Sequence, residues 1–101
     1  MTLAGRNPRP VWETRDPEGR LVVLSWAGWH HTLRKHWDLD VPRETLLDAV
    51  ANPDARHAGW SSGEEWFYLR GVGPSAWLKV VVHYDHDRGL IVTAFARRSF
   101  P

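Results

Sequence analysis

Trp77-Leu78-Lys79-Val80-Val81-Val82-His83-Tyr84 and Leu90-Ile91-Val92-Thr93-Ala94-Phe95 are two β-rich runs, parted by Asp85-His86-Asp87-Arg88-Gly89. Turn formers ending in Gly between two β-branched runs read as a hairpin. Apolar runs this continuous suit strands buried on both faces, or central in a sheet covered by helices. The hairpin is therefore expected at the middle of the sheet.

Upstream of it, Gly71-Val72-Gly73-Pro74-Ser75 reads as a turn and Glu65-Trp66-Phe67-Tyr68-Leu69-Arg70 as an aromatic strand. Ser61-Ser62-Gly63 is a loop, and Ala55 to Trp60 the start of another strand. Asn52-Pro53 stops a helix expected over about 42–51, with Asp40 or Val41 as cap, Pro42 in its first turn and Leu46, Leu47 and Val50 as its apolar face. Ser25 is a candidate N-cap for a helix running to about Trp37. On it Trp26, Trp29, Leu33 and Trp37 form one stripe, with His30 at its edge. Val11 to Thr14 and Arg20 to Leu24 flank the turn Asp16-Pro17-Glu18-Gly19 and form a first hairpin. Residues 1–10, with Gly5, Pro8 and Pro10, read as a mobile arm before a single domain over 11–101. The order β-β-α-α-β-β-β-β argues an α+β fold, an antiparallel sheet with both helices on one face. The expected core is Trp26, Trp29, Leu33, Leu46, Leu47, Val50, Val80, Val82 and Val92.

Composition narrows the classes. At 43% hydrophobic and 25% charged, the 101 residues suit one globular domain. There is no Cys, so thiolate metal sites, disulfides and a Cys nucleophile are excluded. No apolar run approaches the roughly 20 residues of a membrane span, and the N-terminus has no apolar signal core. A formal charge of +1 gives nucleic-acid binding only weak support.

His30, His31 and His36 are the densest titratable cluster. His31 and His36 stand about 140° apart on a continuous helix, so they cannot share one metal ion unless the helix ends between them. A His can serve as general acid or base, because imidazole titrates near neutrality. The plain alternative is a set of surface His near a helix end. His83 and His86 flank Tyr84-Asp85 and are expected to point apart. Lys79 lies on the strand face of Val81 and His83, and Thr93 on that of Ile91 and Phe95. If the two strands pair through the 85–89 turn, these faces can coincide. The result is either exposed edge residues or a shallow site. Among seven Trp, Trp26, Trp29 and Trp37 are spaced for packing, whereas Trp60, Trp66 or Trp77 could line a cleft. Arg97-Arg98 could touch phosphate or simply end the last strand in solvent.

The sequence of these signals resembles the phage-associated branch of the barnase/EndoU/colicin/RelE superfamily of nuclease-like domains. The likeness rests on His31-Thr32-Leu33-Arg34-Lys35-His36, on Asn52-Pro53-Asp54 closing the second helix, and on Ile91-Val92-Thr93-Ala94-Phe95. It spans about residues 12–98. Trp37 follows His36 where the family often has Pro. The resemblance implies a metal-independent, cofactor-free ribonuclease in which the RNA 2′-OH attacks the adjacent phosphate to give a 2′,3′-cyclic phosphate. By the same resemblance His31 and His36 match the acid–base pair and Thr93 the phosphate ligand. Lys79, Arg97, His83 and Trp66 are physical choices for phosphate and RNA binding. RNA is the implied partner, with an inhibitor or immunity protein or a carrier polypeptide to contain toxicity, and a cytoplasmic or delivered setting without membrane association. The competing class is a binding or phage accessory module that keeps the fold without the chemistry.

Overall fold

The computed structural model describes residues 11–36, 39–72 and 76–101. The arm over 1–10, Trp37 on the helical stripe, Asp38 of the interhelical link and the 73–75 part of the turn lie outside the described residues. The strands are β1 Val11–Arg15, β2 Leu21–Ser25, β3 Ala55–Ala58, β4 Glu64–Arg70, β5 Trp77–Tyr84 and β6 Gly89–Arg97. The helices are α1 Trp26–Lys35 and α2 Arg43–Ala51.

The six strands form one sheet in the order β1-β2-β6-β5-β4-β3. The β5–β6 hairpin is at its centre, as the apolar runs require. Neighbours are antiparallel except β2 and β6, which run parallel through two pairs, Val22 with Gly89 and Val23 with Leu90. That pairing is short because β2 turns directly into α1. Ser25 ends the strand and caps the helix, its Oγ accepting from Gly28 N at 3.0 Å. α1 then packs against β6 and β2, while α2 packs across β1, β4 and β5.

The core lies between the helices and one sheet face. Leu46, Ala49 and Val50 of α2 meet Val22, Leu24, Phe67, Leu69, Leu78, Val80, Val82, Ile91 and Ala94, with Trp29 of α1 packed alongside. Each fully buried Val, Leu, Ile or Phe contributes about 1.5–3 kcal/mol relative to exposure.

Three core expectations are corrected, Leu33, Val92 and Trp26, which lies outside the core cluster. Leu33 is 38% exposed, and Thr32 is buried in its place. The helix approaches β6 most closely at Gly28. A Cβ on Gly28 would sit 3.1 Å from the Ile91 carbonyl oxygen. A close helix–strand approach therefore turns Gly28, Trp29 and Thr32 inward and the Leu33 side outward. Trp26 is half-buried, with its ring 4.2 Å from that of His30.

Val92, also expected in the core, is 41% exposed. The register moves from Val81↔Thr93 to Val82↔Ile91, so Val92 is the extra residue of a β-bulge. Strict alternation would put Ile91, Thr93 and Phe95 on one face. The bulge instead sends Ile91 into the core and leaves Thr93 and Phe95 on the opposite face.

Several ends also move. Trp60 lies beyond β3 in the following loop. Pro42 is the α2 N-cap, with no side-chain cap bond, rather than a first-turn residue behind Asp40 or Val41.

Candidate functional site

The face opposite the α2 core carries the residues of interest. Cross-strand pairs put Trp66 beside Val81, Tyr68 beside Lys79, and Arg70 beside Trp77. They also put Thr93 beside Val81, Phe95 beside Lys79, and Arg97 beside Trp77. Lys79 and Thr93 thus share a face, as diagonal neighbours one pair apart. The bulge at Val92 is what puts them together.

Lys79 is not an edge residue: it is 5% exposed. Its Nζ stands 3.3 Å from the Trp66 ring centroid, 5.4 Å from Phe95 and 6.0 Å from Tyr68. The ammonium is held by π faces, a geometry that rewards a desolvated cation. Among the described residues it makes no ion pair with a carboxylate. Burial, then the charge of Arg97, pulls its pKa below the usual lysine range. β4, β5 and β6 place only one carboxylate on this face, Glu64. Glu64 is occupied by Trp66 Nε1 at 2.9 Å and by the Ser61 hydroxyl at 2.8 Å.

Two hydroxyls on this face have no partner among the described residues, Tyr68 OH and Thr93 Oγ1. A buried polar atom without a partner is uncommon and costs on the order of 1–3 kcal/mol. Burial pushes the Tyr68 phenol up. Arg97 is half-buried and donates from Nη2 to the Pro101 carbonyl at 3.1 Å.

The two histidines of the expected pair are separated in role. α1 ends at Lys35, so His36 is past the helix as its C-cap, with φ −131° and ψ 57°. Its ring stacks on Phe95, with centroids 5.0 Å apart and planes 30° apart. His36 therefore reaches the face opposite α2 at Phe95, the cross-strand partner of Lys79. His31 remains within α1, five residues before the His36 cap. His83 is exposed at the far end of β5, opposite Glu64 and Leu90. Trp66 is buried as the floor of the lysine cage, with His57 stacked on it at 5.4 Å. Among the described residues no three His, Asp or Glu side chains form a group able to hold a metal ion. No helix among them is long and apolar enough to cross a membrane.

Sequence reading missed a charged network on the other side of the sheet. Asp16 accepts from Arg20 Nε at 2.7 Å and from Tyr84 OH at 2.8 Å. Arg20 and Arg56 both donate to Glu65, each with a contact of 2.9 Å. Asp16 and Glu65 are thereby neutralised, and Arg20 lies 3.8 Å over the Tyr84 ring. Burial opposes ionisation of Asp16, but the hydrogen bonds from Tyr84 and Arg20 and the charge of Arg20 outweigh it and hold its pKa below the ordinary 3.8. The local signal was only a turn, because Glu65 lies 45 residues from Arg20 and Tyr84 68 residues from Asp16 in the chain. This network fastens the β1–β2 turn to β4 and β5.

Compared with family models, with curated proteins and with solved structures, the chain matches none.

Proposed function

We propose that the sheet face opposite α2 binds RNA and cleaves it without metal. The observation that carries this reading is the convergence of His36, a lysine that makes no salt bridge among the described residues and two unpartnered hydroxyls on one face. Such a face is built to attract an anion. The resemblance carried by His36 and Thr93 supports the same chemistry.

In this reading Arg97 meets the phosphate at the surface. Lys79 acts from beneath, where low dielectric strengthens its field. Thr93 Oγ1, buried in this structure, donates to a phosphoryl oxygen once a side-chain shift on RNA entry exposes it. His36 takes the proton of the 2′-OH as that oxygen bonds to phosphorus. The bond to the 5′ oxygen breaks, and that oxygen takes a proton from water. The imidazolium then neutralises the hydroxide formed. The products are a 2′,3′-cyclic phosphate and a 5′-hydroxyl end.

One observation favours a second reading, in which the face binds RNA and does no chemistry. In-line displacement commonly uses a second acid–base group, and His31 remains within α1. The deciding experiment is incubation of the purified full chain with a mixed-sequence RNA in EDTA. Fragments ending in cyclic phosphate, lost in folded His36→Ala, support cleavage. Intact RNA with measurable binding gives the second reading, and neither cleavage nor binding removes both.

A further inference from the structure

Trp60 is 92% exposed, the barest large apolar side chain among the described residues. Single exposed apolar residues are ordinary on protein surfaces. Trp60 is not ordinary in two respects. First, it is presented by a rigid loop. Gly59 N donates to the Glu64 carbonyl at 2.8 Å, and Glu64 N to the Ser61 carbonyl at 3.1 Å. Tyr84 N donates to the Gly63 carbonyl at 2.7 Å, which ties the loop to the end of β5. Gly63 has φ +82°, and a Cβ there would meet the Tyr84 carbonyl oxygen at 2.6 Å, so this turn is fitted to its neighbour. The Glu64 carboxylate fixes Ser61 and Trp66 together. A loop this well held does not bury its Trp.

Second, Trp60 continues a row of rings. It stands edge-on to Trp66, with centroids 5.4 Å apart. His57 stacks on Trp66 at 5.4 Å, and Phe100 is 6.1 Å from His57. Trp60, His57 and Phe100 are all exposed. The row runs along β3 and β4, beside the face that holds Lys79 and Arg97. Ring faces at this spacing, flanked by cations, match the pattern by which proteins hold unpaired bases. A duplex keeps its bases stacked on one another and offers such rings nothing.

We propose that this row is a base-stacking lane, with Trp60, His57 and Phe100 each receiving a base of single-stranded RNA. The inference rests on the reading of the face opposite α2 as an RNA site and names its substrate class, unpaired RNA. Trp60 supplies the largest stacking surface and sets the affinity for the outermost base. His57 and Phe100 carry the strand toward the phosphate positions at Arg97.

The test uses the full chain and a single-stranded 2′-O-methyl oligonucleotide, which lacks the attacking hydroxyl and cannot be cut. Affinity is measured by fluorescence anisotropy for this oligonucleotide, for the same strand with consecutive abasic sites, and for its duplex. Loss of stacking on one ring is expected to weaken binding about 5- to 100-fold. Wild type is expected to prefer the intact single strand over both others by at least that margin. Folded Trp60→Ala is expected to lose most of the preference over the abasic strand, and Trp60→Phe to keep it. Equal affinity of wild type for single strand and duplex overturns the lane. So does a Trp60→Ala variant that binds and discriminates as wild type does. In both cases the RNA reading of the face stands. Failure of wild type to bind any strand or to cut RNA overturns the lane and that reading together.

Discussion

His36 and Lys79 show how little a residue's type says about its use. His36 reaches the sheet because α1 stops one residue earlier, which frees its ring to lie on Phe95. His31, with the same chemistry, stays in the helix. His36→Ala is therefore expected to slow RNA cleavage by about 10²–10⁴-fold, and His31→Ala to leave it within a few-fold of wild type. With one imidazole as base and water as acid, the rate should rise with pH through one titration and then level. A bell-shaped profile would show that a second titrating group acts, and the single-His assignment would fail. At Lys79 the proposed function and stability can be separated by experiment. A buried cation replaced by an apolar side chain of similar length is often neutral or stabilising. Lys79→Met should unfold at the same denaturant concentration as wild type or higher, by up to about 2 kcal/mol, while RNA affinity and cleavage fall. Equal loss of stability and activity would assign Lys79 a packing role only.

At the scale of elements, two devices fix the sheet. One is the bulge at Val92. It turns Ile91 inward, at 1% exposure, and Val92 outward, at 41%. Ile91→Ala is expected to cost about 2–5 kcal/mol in chemical denaturation, and Val92→Ala less than about 1 kcal/mol. Costs in the opposite order would place the extra residue elsewhere. The other is the link from the β1–β2 turn to β4 and β5 through Asp16, Arg20, Glu65 and Tyr84. Asp16 has a folded pKa below its unfolded value of 3.8. Its contribution to stability is therefore fully present above that value and is lost as pH falls through the lower folded one. Asp16→Asn should be less stable than wild type at neutral pH and should show a shallower loss of stability between about pH 4 and pH 2. Parallel acid-unfolding curves for the two proteins would show that Asp16 titrates alike in both states.

At the scale of the molecule, the sheet divides two kinds of work. The α2-covered face buries the aliphatic core, and the opposite face gathers rings, hydroxyls and cations. With a formal charge of only +1, the RNA binding proposed for this face would have to come from this local arrangement rather than from net charge. The cleavage proposed for it needs no metal, so EDTA and added Mg²⁺ should give the same initial rate on one RNA. A rate restored only by a divalent cation would overturn the mechanism.

Much of this architecture was legible in the chain. The runs 77–84 and 90–95 place a hairpin at the sheet centre because strands this apolar are shielded best with a strand on either side. Ser25 and Asn52-Pro53 bound the helical block because a capping hydroxyl and a proline act locally. What the sequence could not decide were the contacts that close over distance. Period-two alternation fails at a bulge, and no local residue marks Val92 as the extra one. Helical periodicity finds an apolar stripe, but close approach of Gly28 to β6 turned Thr32 inward instead of Leu33. The Asp16–Arg20–Glu65 network and the aromatic box around Lys79 join residues from different strands. Local sequence thus determined which segments form strands and helices, through propensity and pattern. Only the tertiary structure decided which side chains meet, because pairing register and packing distance are properties of elements together.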